Sequence, residues 1–158
     1  MIKLKKLLEF NIKKFIDKIF HKKESEKYVN FYMKTALEVA QLSRAVRLKV
    51  GCVVVKDGSI ISHGWNGTPR GFDNNCEEVI NGELKTKSVV VHSEINALSK
   101  IAKSTNSSDG ATMYLTHSPC YECSKAIIQS GIREVYYSKE YRDSKPLEFL
   151  KKAGIPIF

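Results

Sequence analysis

VHSEINALSKIAK (residues 91–103), ATMYLT (111–116) and PCYECSKAIIQSG (119–131) decide how this chain folds. The first segment repeats apolar residues at helical spacing, with Ile95, Leu98 and Ile101 on one face, and predicts a helix with His92 and Glu94 at its start. The second is a short apolar run and predicts a strand. In the third, Pro119 suits the opening of a helix and Gly131 its end. Helix, strand and helix in alternation indicate an α/β domain.

The same residues carry chemistry. His92, Cys120 and Cys123 offer one imidazole and two thiolates, the three protein donors of a catalytic zinc site whose fourth position is left to water. A lone C-x-x-C also serves redox sites and structural zinc clusters. Preceded by Pro119 and by the H-x-E of His92 and Glu94, it matches the zinc nucleobase deaminase signature, in which the glutamate is the general acid and base and not a ligand. The competing reading is a closed zinc knot, a scaffold without activity. Such a knot needs a fourth protein ligand, and Cys52 and Cys76 lie in no C-x-x-C pair and near no spaced histidine. Glu94 would be superfluous in it. All three donors fall at predicted helix N-termini, where backbone N–H groups and the positive helix end favour thiolate.

The 158 residues suffice for one domain of ordinary size. The four cysteines, two of them committed to metal, argue against a disulfide framework, and the residues present neither a secretory signal nor a membrane span, so a reducing cytoplasm is expected. The net charge of +9 resembles a nucleic-acid footprint until it is located: residues 1–23 hold eight lysines against Glu9 and Asp17, leaving only +3 on the rest. Residues 1–25 read as a basic amphipathic helix or leader, with Leu4, Leu8, Ile12, Phe15, Ile16, Ile19 and Phe20 on its apolar face. Packing on a partner subunit or on the core is one role for it, and contact with an anionic membrane surface is a weaker alternative.

From residue 26 the pattern predicts a helix over 28–44, with Phe31, Ala36, Leu37, Ala40 and Leu42 buried. A hairpin follows, strands 50–55 and 60–65 around the turn Lys56-Asp57-Gly58-Ser59. Residues 66–86 read as a long loop without periodicity, and such loops are usually functional. A strand over 132–138, a short helix over 147–153 and a last strand over 155–158 complete residues 26–158 as one domain. The expectation is a three-layer α/β/α sandwich around a mixed five-stranded sheet.

These residues now carry a family resemblance. Val50-Gly51-Cys52-Val53-Val54-Val55, Gly64-Trp65-Asn66-Gly67-Thr68-Pro69-Arg70-Gly71, His92-Ser93-Glu94-Ile95-Asn96-Ala97-Leu98 and Pro119-Cys120-Tyr121-Glu122-Cys123 resemble the deoxycytidylate deaminases of the cytidine deaminase superfamily, over nearly all of residues 28–155. The tRNA adenosine deaminases share several of these segments but have a much shorter stretch than the 25 residues between Asn66 and His92, and a more basic C-terminal region. The resemblance implies a dCMP substrate and no nucleic acid, zinc on His92, Cys120 and Cys123, Glu94 as the catalytic carboxylate, and Asn66 and Tyr141 on the sugar or phosphate. Arg47 and Lys49, just before the first strand, are placed to supply cations for the phosphate. It further implies dCTP and dTTP effectors with Mg²⁺ at a site built from Gly64, Trp65, Asn66, Gly67 and Arg70, in a homo-oligomer that is often a hexamer. His63 and His117, lacking ligand spacing with the main set, are read as structural; Cys76 is either a second-metal ligand or an ordinary loop residue.

Overall fold

β-Branched Val53, Val54 and Val55 form the centre of the molecule because both faces of their strand are covered. The computed structural model describes residues 25–158. The elements run α1 (Glu26–Gln41), β1 (Gly51–Lys56), β2 (Ser59–Trp65), β3 (Glu77–Ile80), β4 (Glu83–Thr86), α2 (Ser93–Ile101), β5 (Thr112–His117), α3 (Tyr121–Gln129), β6 (Glu134–Lys139) and α4 (Lys145–Lys152). The main sheet has the order β2-β1-β5-β6; β1 is antiparallel to both neighbours and β5 is parallel to β6. Asp57 and Gly58, both at positive φ, make the two-residue turn between β1 and β2.

Alternation along β1 builds three layers. Val53 and Val55 join Tyr114, Tyr136 and the α1 residues Tyr32 and Ala36 on one face. Cys52 and Val54 join Met113, Leu115 and Val135 on the other, under Ala97 and Ile101 of α2, Ile127 of α3 and Leu150 of α4. Two glycines allow the close approach of these layers. A Cβ at Gly51 would lie 2.1 Å from the Ala36 carbonyl oxygen of α1, and one at Gly64 would lie 2.1 Å from the Ser93 carbonyl oxygen of α2.

Three expectations are corrected. The main sheet has four strands, not five: only a single parallel bridge joins Ile157 to Val135, and Pro156, which lacks an N–H, offers just its carbonyl to Val135. Residues 66–86 are not structureless, because β3 and β4 pair as an antiparallel hairpin around Asn81 and Gly82, both at positive φ. Asn-Gly is a strong hairpin signal, masked here by strands only four residues long. Phe31 and Leu37 of α1 and its C-cap Leu42 are exposed; the buried side is Tyr32 with Ala36 and Ala40, and the two alanines are small enough to fit over Gly51. The basic segment expected at residues 1–25 falls, except for Ser25, outside the described residues. Among the described residues no helix is long and apolar enough to cross a membrane.

Candidate active site

Two helix N-termini face each other beside the carboxyl end of β5. His92 is the N-cap of α2 and Cys120 the N-cap of α3; both have extended backbone, and neither side chain caps its own helix. Cys123 sits in the first turn of α3. His92 Nδ1 lies 3.4 Å from Cys120 Sγ and 3.3 Å from Cys123 Sγ, and the three donor atoms fall within 4.8 Å of one another. One imidazole and two thiolates suit zinc. No fourth histidine, cysteine or acidic side chain completes the group among the described residues, so a metal held there keeps a free position. The donor set therefore fits a catalytic zinc and not a closed knot. Cys76 belongs to no such group and is buried with its thiol 3.8 Å from the Asn74 carbonyl oxygen.

The protons of this cluster are unevenly held. Hydrogen bonds from Cys123 and His92 pull the Cys120 thiol down to about 3 against the desolvation that opposes them. The bond to Cys120 raises His92, and Cys120 together with burial raises Cys123. Glu94, one residue into α2 from its start, is buried, and burial raises its pKa above the ordinary carboxylate value. Ser93 Oγ donates to Glu94 Oε2 at 2.9 Å and fixes that oxygen.

A cavity of about 540 Å³, open mouth included, is lined by Leu48, Val50, Asn66, Thr86, Val90, His92, Ser93, Glu94, His117, Ser118, Cys120 and Tyr141. It thus places two of the candidate metal donors and the carboxylate in one cavity with Asn66 and Tyr141. Asn66 is held on both sides: its Oδ1 accepts the Val50 N–H at 2.8 Å and its Nδ2 donates to the Leu48 carbonyl at 2.9 Å, without a positive φ. Neither Arg47 nor Lys49 lines the cavity and both are exposed, but Arg47 reaches its rim by donating from Nη1 to Oγ1 of the lining residue Thr86 at 3.0 Å.

Of the other expected effector positions, none lines the cavity. Gly64 lies under α2; Trp65 carries Lys100 Nζ 4.2 Å above its ring; Arg70 is exposed. Gly67 exchanges two backbone hydrogen bonds with Val91, the residue before His92. Sequence reasoning missed Glu77, whose buried Oε1 accepts the N–H groups of Val46 and Arg47 at 3.0 and 3.2 Å and so holds the segment bearing Arg47. It also missed Ser118 and His117 as lining residues; their position just before Pro119-Cys120 was the available signal.

Comparison with known proteins agrees with this geometry. The family described as "Cytidine and deoxycytidylate deaminase zinc-binding region" matches residues 26–139. Deoxycytidylate deaminase of Enterobacteria phage T4 is 34% identical over 167 residues, covering 80% of this chain and 86% of the phage protein. The Saccharomyces cerevisiae enzyme is 36% identical over 135 residues, which cover 81% of this chain but only 43% of the yeast protein. A crystal structure of dCMP deaminase from the cyanophage S-TIM5, in complex with dCMP and dUMP, superposes with a TM-score of 0.80 at 46% identity over 85% of this chain and 98% of that one.

Proposed function

Because this chain belongs to the cytidine and deoxycytidylate deaminase family, whose zinc-dependent hydrolytic chemistry its site fits, we propose that it converts dCMP and water to dUMP and ammonia. One observation carries the reading: a buried Glu94, fixed by Ser93, shares a cavity with His92 and Cys120, in a fold like that of a phage enzyme seen with dCMP and dUMP. Zinc held by His92, Cys120 and Cys123 supplies a Lewis acid that brings the pKa of water toward neutrality.

Glu94 takes one proton from the attacking water and delivers it to the ring nitrogen, then takes the second from the hydroxyl left on the ring carbon and delivers it to the amine as the C–N bond breaks. Burial suits it to that shuttle, since a carboxyl with a raised pKa holds a proton more readily between the two transfers. Apolar Leu48, Val50 and Val90 wall the cavity and exclude bulk water from the base. Asn66, already rigid between Leu48 and Val50, takes the sugar, and Arg47 at the rim takes the phosphate with Tyr141. Lys49 adds long-range positive potential.

The regulatory reading belongs to the same proposal. A dCTP or dTTP bound with Mg²⁺ along Gly64–Arg70 would act on the site through Gly67, which is bonded to Val91 beside His92. The exposed cross-strand pair Val79 and Leu84 gives one face of the β3–β4 hairpin an apolar patch for assembly into a homo-oligomer, since a lone two-stranded ribbon is marginal in water. Ammonia release from dCMP, dCTP, cytidine and tRNA, measured side by side, tests the substrate. Turnover of tRNA or cytidine in preference to dCMP would overturn the reading.

A further inference from the structure

His117 forms part of the cavity wall, yet the reaction above gives it nothing to do. Its neighbour decides which ring nitrogen carries the proton. Thr116 Oγ1 accepts the Gly51 N–H at 3.1 Å and lies 3.1 Å from His117 Nδ1. Thr116 is buried, and Nδ1 is the acceptor within reach of its hydroxyl proton among the described residues. The hydroxyl therefore donates to Nδ1, and the ring is the Nε2–H tautomer. Burial, and then Lys139 opposite it in the β5–β6 ladder, push the His117 pKa down, so the ring is neutral at neutral pH.

The surroundings point to what the Nε2–H meets. Tyr141 packs edge-on against the His117 ring, 6.5 Å between centroids, and the Arg142 guanidinium lies 4.8 Å from the centre of the Tyr141 ring. Lys139, opposite His117 in the β5–β6 ladder, and Arg142, against Tyr141 and near enough to His92 to act on it, set two positive charges beside this wall of the cavity. No described residue hydrogen-bonds Nε2. A neutral N–H is also less costly to hold half-buried than another cation.

We propose that His117 is a specificity-determining residue, donating its Nε2–H to the 5′-phosphate of the nucleotide and selecting the monophosphate over the free nucleoside. The inference rests on the dCMP reading. Steady-state kinetics with dCMP and deoxycytidine test it in the zinc-loaded enzyme. His117→Leu removes the donor at similar volume and lowers the preference for dCMP about tenfold, the loss expected for a hydrogen bond to a charged group, through KM and not kcat. His117→Gln, whose amide N–H reaches the Nε2 position, recovers most of that preference. His117→Asn, too short to do so, repeats the loss and decides the matter if the leucine variant does not fold. An unchanged ratio in the leucine or asparagine variant, or equal losses on both substrates, overturns the inference and leaves dCMP deamination standing. A wild-type enzyme that releases no ammonia from dCMP overturns both.

Discussion

Replacing Gly64 by Ala tests whether the registry of α2 over β2 sets the active site. The added Cβ would lie 2.1 Å from the Ser93 carbonyl oxygen and 2.5 Å from the Ala97 nitrogen, both backbone atoms that no rotamer change can remove. Bringing the first contact out to the 3.4 Å of ordinary van der Waals contact requires α2 to move by about 1.3 Å. That helix carries His92 at its N-cap and Glu94 in its first turn, so both move relative to Cys120 and Cys123 on α3. A misplacement of about 1 Å costs on the order of 100-fold in rate, and overpacking of this kind costs about 1–3 kcal/mol of stability. Gly51→Ala is the matched control: its Cβ meets Ala36 and Ala40 of α1 at 2.1 and 2.7 Å, on the sheet face away from the ligands. Denaturant unfolding should show comparable destabilisation of the two variants, while ammonia release with dCMP falls about 100-fold in Gly64→Ala and only a few-fold in Gly51→Ala. Equal rate losses, or full activity in Gly64→Ala, would refute the claim that the helix registry positions the carboxylate.

Glu94→Ala should keep one zinc per chain by metal analysis and lose activity by roughly 1,000-fold, since a proton shuttle contributes about that much; surviving turnover would sink the assignment. Arg47→Ala is expected to raise KM for dCMP about tenfold and hardly change deoxycytidine, and a change shared by both substrates would remove Arg47 from the phosphate site. Deletion of residues 1–24 should leave a folded, active enzyme, because the match to the family begins at residue 26; an unfolded product in circular dichroism would show that the apolar face of that segment belongs to the core. The dCMP saturation curve should be sigmoidal and become hyperbolic with dCTP and Mg²⁺, and a hyperbolic curve indifferent to both triphosphates would remove the regulatory reading.

Sequence alone determined the chemistry, because a metal site is written in residue type and short-range spacing. His92, Glu94, Cys120 and Cys123 were legible as three donors and a carboxylate, and the structure brings the three donor atoms within 4.8 Å. The alternation of elements was legible for the same local reason, since helical and strand periodicities need only neighbouring residues. What only the tertiary structure decided depends on groups distant in the chain. The exposure of Phe31 and Leu42 follows from the fit of Ala36 and Ala40 over Gly51, a contact between segments that no periodicity records. Gly64 has a packing reason visible only with α2 in place. Glu77 reaches back across 31 residues to hold Val46 and Arg47, and His117 joins the cavity because β6 brings Tyr141 against it. Such roles arise from which surfaces meet, and a linear sequence specifies that only through the free energy of the whole fold.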